Sequence, residues 1–182
     1  MEPYEVTRQK YKPDRIAVLF IAESQPPAAS TPSSRQFYRS DHIRKGDRLF
    51  VNTIKALYPE AATLTEQTIE QQKETWLRRF QADGYYMIEA LDESLVHEVT
   101  KKERQEKIRR NLPALIKKVH DLASADTKLI LIKSNVFDVA AAPLRQAGFA
   151  VLNTELVDYP GQFNQRAYRE KLANLLSTPS TH

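Results

Sequence analysis

The chain has 182 residues, which fits one domain over residues 1–182 with a core at about 14–177 and a frayed tail at 178–182. It contains no cysteine, which excludes disulfides, thiol catalysis and thiolate-bound zinc or iron–sulfur sites. The formal net charge is +4, and the longest apolar stretch, Ile16 to Ala22, is too short to span a bilayer. No signal peptide is visible either, so we expect a cytoplasmic protein without a membrane partner and favour a monomer.

Four segments are predicted to be strands. Ile16 to Ile21 is a continuous apolar run of branched and aromatic residues, which is typical of a strand buried on both faces of a parallel sheet. The other three follow at spacings that suit crossover helices rather than hairpins: Tyr85 to Leu91, Leu129 to Ile132 and Phe149 to Val157.

Apolar residues at helical spacing predict helices between these strands. Before the second strand, one helix ends near Pro59, and another begins after an N-cap at Thr65 and ends before Gly84. Before the third strand, the apolar stripe runs from Leu112 to Leu122, and Pro113 is tolerated there only in the first turn of the helix.

The last two predicted helices complete the pattern and define the fold class. One spans Val136 to Ala147 and ends at Gly148, and the other spans Phe163 to Leu176 with Phe163 and Ala167 facing inward. The order is β-α-α-β-α-β-α-β-α, and right-handed crossovers put helices on both faces of the sheet. The prediction is an α/β protein, a three-layer α/β/α sandwich with a central, mainly parallel four-stranded sheet.

In open α/β sheets, ligands bind beyond the carboxyl ends of the strands. The working site is therefore expected where the first strand ends, at Ala22 to Pro27. Four segments should meet at this edge: Ala22 to Tyr38, Glu89 to Glu93, Lys133 to Phe137, and Asp158 to Phe163.

The first of these segments contains a carboxylate and two aromatic side chains. Glu23 follows a buried strand, where it could polarise a water or accept hydrogen bonds from a ligand. The alternatives are a helix N-cap or an ion pair with a neighbouring arginine. Phe37 and Tyr38 offer rings for stacking on a flat ligand, or they anchor the loop in the core.

The segments at the carboxyl ends of the second and fourth strands also contain unusual residues. Glu89 lies near the end of an apolar strand, where a charge needs a partner. Gly161, between Tyr159 and Phe163, permits close approach of the backbone, and the helix that follows attracts anions at its N-terminus. The alternative for this last segment is a simple turn from strand to helix.

Basic residues are concentrated in two stretches, from Lys101 to Lys118 and from Arg35 to Arg48. They could receive a phosphate backbone, or they form solvated helix faces.

The sequence lacks the motifs of several other chemistries. It has neither a G-x-G-x-x-G motif nor a P-loop, and no serine-centred nucleophile elbow. The four histidines are scattered without metal-ligand spacing. We therefore expect neither a metal nor a cofactor.

Taken together, the short loop around Glu23, the aromatic residue soon after it and the turn at Tyr159 to Phe163 resemble the uracil-DNA glycosylase superfamily. The resemblance covers roughly residues 16–176. It implies a hydrolase of DNA repair that flips a damaged base out of DNA and cleaves its N-glycosidic bond.

The resemblance also implies roles for individual residues. Glu23 would activate the water. The base would be bound by Ser24, Phe37, Tyr38 and Glu89. DNA would be contacted by Tyr159, Gly161, Gln162 and Phe163.

The sequence departs from the active members of that family at several positions. Tyr159 or Asp158 stands in the region where active members commonly have a histidine, Glu89 replaces an asparagine, and Gln25 interrupts the Glu-x-Pro spacing. A catalytically inactive module that binds nucleic acid or a nucleotide on the same fold is therefore the alternative. A third possibility is a small-molecule enzyme on an unrelated doubly wound sheet.

Overall fold

The computed structural model describes residues 4–25, 36–40, 46–95 and 99–177. Four parallel strands form a sheet in the order β2-β1-β3-β4. The strands are β1 (Val18–Gln25), β2 (Tyr85–Ser94), β3 (Lys128–Leu131) and β4 (Ala150–Val151). An isolated parallel bridge between Ile132 and Val157 continues the pairing beyond β3.

Helices cover both faces of this sheet, which is the three-layer α/β/α sandwich predicted from the sequence. In chain order they are α1 (Tyr4–Gln9), α2 (Arg48–Leu57), a short 3-10 helix (Pro59–Ala61), α3 (Glu66–Gln71), α4 (Lys73–Ala82), α5 (Lys101–Leu122), α6 (Ser134–Gln146) and α7 (Gln165–Ser177). Within the ranges that the structure describes, no helix is long and apolar enough to cross a membrane.

The two faces of β1 contact different helices, since successive side chains of a strand alternate between its faces. Phe20 stacks on Phe80 of α4, with ring centroids 5.8 Å apart. Glu23, three positions further along, points to the other face and bonds to side chains from α5 and α6. The helices α2 and α7 pack against each other, and Thr53 of α2 shares a 2.8 Å hydrogen bond with Tyr168 of α7.

Several predicted boundaries are confirmed by local hydrogen bonds and dihedral angles. The Thr65 side chain caps α3 by accepting the Thr68 N–H at 3.1 Å. Gly84, just after α4, has φ +77°, and a Cβ there would lie 3.1 Å from the Arg15 carbonyl oxygen. A glycine is thus required at this turn both by its dihedral angle and by the available space.

Other boundaries were predicted wrongly. The first strand begins at Val18 and continues to Gln25, so Glu23 and Ser24 lie on the strand rather than on the loop after it. The helix α5 begins at a capping box formed by Thr100 and Glu103, so Pro113 lies in its middle and not in its first turn. The proline stays there because the long helix is fixed by its cap and by its packing on β2 and α6.

Near the C-terminus, the fourth strand is shorter than predicted, and Val157 rejoins the sheet after it through an isolated bridge. The last helix begins at Gln165, and the prediction that Phe163 and Ala167 face inward is wrong. Phe163 is 94 % exposed and Ala167 is exposed, while Tyr168 is the buried side chain of this turn. Apolar periodicity alone does not fix the first turn of a helix.

Near the N-terminus, two features differ from the prediction. The helix α1 was not predicted, and the segment after Thr65 forms two helices, α3 and α4, which meet at Gln72. With only six residues, α1 is too short for a hydrophobic period to be visible in the sequence.

Candidate functional site

The connections of the sheet diverge between β1 and β3. The chain leaves β1 through α2, α3 and α4 to reach β2 on one side, and it leaves β3 through α6 to reach β4 on the other. Such a switch in direction opens a crevice at the carboxyl ends of the two strands, where open α/β sheets bind ligands. Glu23 lies near the carboxyl end of β1, and Lys133 and Asn135 follow β3 directly.

Glu23 is the centre of a polar cluster at this position. Its Oε2 accepts hydrogen bonds from Arg104 Nη1 at 3.0 Å and from Lys133 Nζ, and its Oε1 accepts one from Asn135 Nδ2 at 2.5 Å. We call these four residues the Glu23 cluster. Although Glu23 is only 5 % exposed, both of its carboxylate oxygens are bonded.

The pKa of Glu23 is lowered from its usual value. Burial opposes ionisation, but hydrogen bonds from Lys133 and Asn135 and the positive charges of Lys133 and Arg104 outweigh that effect. Glu23 is therefore an ionised carboxylate that forms an ion pair with an arginine, one of the alternatives considered from the sequence.

Lys133 has an unusual backbone conformation. Its φ is 82° and its ψ is 141°, and among the residues that the structure describes it is the sole non-glycine with a positive φ. Its N–H donates to the Val157 carbonyl at 2.7 Å, and its own carbonyl accepts from Val136 and Phe137 in the first turn of α6. The chain thus passes from the sheet into α6 through one strained residue, at a cost of about 1–3 kcal/mol.

Arg104 reaches the cluster from the first turns of α5. Its Nε donates to the Val99 carbonyl at 3.0 Å, which fixes the guanidinium beside the capping box of the helix. The side chain of Arg104 is 17 % exposed and that of Lys133 is 33 % exposed. Both cations therefore remain partly open to solvent, while the carboxylate between them does not.

Asn135 closes the cluster on the α6 side and is 4 % exposed. A carboxylate only accepts hydrogen bonds, so the amide nitrogen of Asn135 must face Glu23, and this fixes the orientation of the amide. The remaining atom, Oδ1, is buried and has no hydrogen-bond partner among the described residues.

The predicted base-binding residues near β1 lie in different surroundings. Ser24 is half-buried at the end of β1. Phe37 is buried and packs edge-to-face on Phe50 at 5.3 Å, and the hydroxyl of Tyr38 accepts the Met87 N–H at 2.6 Å. These contacts are those of loop residues anchored in the core. Pro26 and Pro27 lie outside the described residues.

Glu89 does not join Glu23. It pairs in register with Ala22, so its side chain lies on the opposite face of the sheet from that of Glu23. There it accepts hydrogen bonds from Arg8 at 2.6 Å and Tyr4 at 2.9 Å. Burial raises the pKa of Glu89, against the lowering effect of the Arg8 charge. In the structure Glu89 fastens α1 to β2.

The predicted DNA-binding turn lies beside the cluster, since it begins after Val157, whose carbonyl binds the Lys133 N–H. Gly161 N–H donates to Asn164 Oδ1 at 2.6 Å, and Asn164 Nδ2 donates to the Tyr159 carbonyl at 2.8 Å. Gln162 is exposed, Tyr159 is 43 % exposed, and Phe163 extends almost entirely into solvent.

The basic stretch on α5 is largely paired with carboxylates. Besides Arg104, its pairs are Lys101 with Asp138, Lys107 with Glu93, Arg109 and Arg110 with Glu106, Lys117 with Asp121, and Lys118 with Asp92. Most of these side chains are exposed, which favours the interpretation of a solvated helix face. Of the second stretch, Arg35, Arg44 and Lys45 lie outside the described residues, and Arg39 is buried.

The sequence did not single out three members of the cluster as ligand-binding residues. Lys133 and Asn135 stood in a segment expected at the carboxyl edge of the sheet, and Arg104 stood in a basic stretch, but nothing linked them to Glu23. For Lys133 and Asn135 the available signal was their position after a predicted strand, and for Arg104 the sequence offered no such signal.

Comparisons of the chain with models of protein families, with curated proteins and with solved structures find no match. The resemblance to the uracil-DNA glycosylase superfamily therefore rests on the sequence motifs alone.

Proposed function

We propose that this chain binds a nucleotide at the Glu23 cluster, through the phosphate group, without cleaving the glycosidic bond. The backbone of Lys133 is the observation that supports this most directly. Glycine adopts a positive φ without strain, so the backbone of a lysine at this position is more strained than that of a glycine would be. Strained residues of this kind are concentrated at functional sites, where the side chain is needed.

The charges of the cluster favour an anion. Two cations surround one carboxylate, and the first turn of α6 adds the partial positive charge of a helix N-terminus. The cations are the part of the cluster that solvent reaches. A phosphate that approaches from solvent therefore meets Lys133 and Arg104 before it meets Glu23.

The aromatic residues of the neighbouring turn favour a nucleotide over a bare phosphate. Phe163 and Tyr159 are exposed on a turn that hydrogen bonds to Asn164 hold in shape. Base–aromatic stacking does not depend strongly on the identity of the base. A ligand with both a phosphate and a flat base thus has complementary groups at this edge of the sheet.

The same geometry argues against base excision by Glu23. A general base needs a pKa near the working pH. The hydrogen bonds and the neighbouring cations lower the pKa of Glu23, which makes it a weak base. The ring of Phe37, the other residue that excision would require, is packed in the core.

The test is calorimetric titration with AMP, GMP, CMP and UMP at low salt. We expect binding that weakens as salt is raised, because the phosphate contacts are ionic. Lys133→Met and Arg104→Met should each weaken it at least tenfold. Arg109→Met is the matched control. Arg109 lies on α5 like Arg104, but it pairs with Glu106 at the surface, so this variant should bind the nucleotides with wild-type affinity.

Absence of binding to all four nucleotides at millimolar concentration would refute the proposal. A parallel incubation with oligonucleotides that contain uracil, hypoxanthine or xanthine tests base excision. Release of any of these bases would favour the hydrolase that the sequence motifs imply.

A further inference from the structure

A cavity of about 580 Å³ lies between β2 and α5, near the carboxyl end of β2, and we call it the β2–α5 cavity. It adjoins the Glu23 cluster. Arg104 of α5 bonds to Glu23 on β1 at 3.0 Å. One turn later on the same helix, Lys107 bonds to Glu93 at 2.8 Å on the neighbouring strand β2. Side chains three apart on a helix lie about 5–6 Å from each other, so the cavity begins next to a cation of the cluster.

The lining of the β2–α5 cavity suits an uncharged group with a hydrogen-bond donor. Two carboxylates and two cations line it, so their charges sum to zero and do not favour a second phosphate. Asn111 Nδ2 donates to the Ala90 carbonyl at 2.7 Å, which fixes the amide and leaves Oδ1 to accept from a ligand. Asn111 is half-buried, so a ligand in the cavity can contact it. The lining residues are Leu91, Asp92, Glu93, Lys107, Arg110 and Asn111.

The β2–α5 cavity and the exposed turn at Phe163 lie on opposite sides of the cluster. That turn follows Val157, which bridges to Ile132 on the far side of β3 from β1, whereas β2 lies on the other side of β1. Three strand spacings of about 4.8 Å separate the two places, which is about 14 Å in all. A mononucleotide whose phosphate lies at the cluster and whose base stacks on Phe163 therefore does not extend into the cavity.

We propose that the ligand is a dinucleotide, whose linking phosphates lie at Lys133 and Arg104 and whose second base occupies the β2–α5 cavity and donates from an amino group to Asn111. This inference rests on the proposed function, since it assumes that phosphate binds at the Glu23 cluster. Open α/β sheets bind dinucleotides across the point where the strand order reverses, and the cluster lies at that point. The chain has no glycine-rich loop, so here the two cationic side chains bind the phosphates.

The experiment compares diadenosine diphosphate with ADP by calorimetry on the wild-type chain. The two ligands have the same number of phosphates, and adenine bears the amino group that Asn111 would accept from. Diadenosine diphosphate should bind at least tenfold more tightly than ADP. Asn111→Ala should lower that ratio at least threefold and leave the affinity for ADP unchanged. Asn174→Ala, which removes an exposed amide on α7, is the control and should keep the wild-type ratio.

The outcomes separate this inference from the proposed function. If diadenosine diphosphate binds the wild-type chain no more tightly than ADP, the dinucleotide is refuted and nucleotide binding stands. If neither ligand binds, and none of the four mononucleotides does, the proposed function is refuted and the inference fails with it. A wild-type ratio in Asn111→Ala would refute the contact with the amino group. The wild-type comparison tests the dinucleotide even if Asn111→Ala does not fold.

Discussion

Two substitutions of Lys133 separate the conformational strain of its backbone from the contribution of its side chain to stability and binding. Lys133→Met removes the ammonium but keeps a side chain at φ 82°. Lys133→Gly removes the ammonium and also relieves the backbone, since glycine populates positive φ readily. If the strained lysine is retained for its side chain, the glycine variant should unfold with a larger free energy than the methionine variant. Both variants should bind AMP less tightly than the wild-type chain.

The magnitude follows from the contacts of Lys133. Both variants lose its hydrogen bond to Glu23, which keeps Arg104 and Asn135 as partners, so this loss should cost about 1–3 kcal/mol. The glycine variant recovers a strain of about 1–3 kcal/mol, less about 0.5–1 kcal/mol for the greater flexibility of the unfolded chain. Lys133→Gly should therefore be more stable than Lys133→Met by about 1 kcal/mol.

Urea unfolding is a suitable assay, because the chain has one tryptophan, Trp76, and it is buried on α4. A difference of about 1 kcal/mol also corresponds to roughly 2–4 °C in Tm for a chain of this size. A glycine variant that is no more stable than the methionine variant would refute the strain at Lys133. AMP binding that survives in Lys133→Met would refute the role of the ammonium.

Three further predictions concern single side chains. Glu23→Gln should destabilise the chain by about 1–3 kcal/mol at pH 7. The pKa of Glu23 is lowered in the folded state, so the stabilisation by its carboxylate is present above the usual glutamate pKa of about 4.3 and is lost as the pH falls through the folded pKa. The free energies of unfolding of wild type and variant should therefore converge as the pH is lowered. Phe37→Leu should destabilise the fold measurably in urea yet leave AMP affinity unchanged, whereas a weaker affinity would indicate a stacking role. Phe163→Ala should change stability by less than about 0.5 kcal/mol but weaken AMP binding by calorimetry at least fivefold, and unchanged affinity would exclude stacking on this ring.

The fold class could be predicted because the first strand is an unbroken apolar run and the later strands are separated by helical patterns. The boundaries could not, because they depend on caps and on distant partners. The helix α1 docks through Tyr4 and Arg8 onto Glu89, more than eighty residues later in the chain. A contact of that kind leaves no periodic signal in either segment.

The candidate site could be located from the sequence but not assembled. The end of the first strand indicated Glu23, and the end of the third indicated the segment from Lys133. The positive φ at Lys133 could not be predicted, because a positive φ is expected from sequence mainly at glycine and this position is a lysine. Likewise, the role of Phe37 depended on whether its ring met other core rings, which a single sequence does not encode locally.

The carboxylate at the centre of the cluster positions the cations without neutralising them. Arg104 donates one hydrogen bond from Nη1 to Glu23 and one from Nε to the Val99 carbonyl. Among the described residues, its Nη2 has no hydrogen-bond partner and stays available to a ligand. An ammonium has three donors, and Glu23 occupies one of those on Lys133. Because Glu23 is buried beneath cations that solvent reaches, the phosphate of the proposed nucleotide would bind to their outer donors while the ion pairs persist. Substituting Glu23 should therefore disorder the two cations and weaken phosphate binding, even though it removes a negative charge from the site.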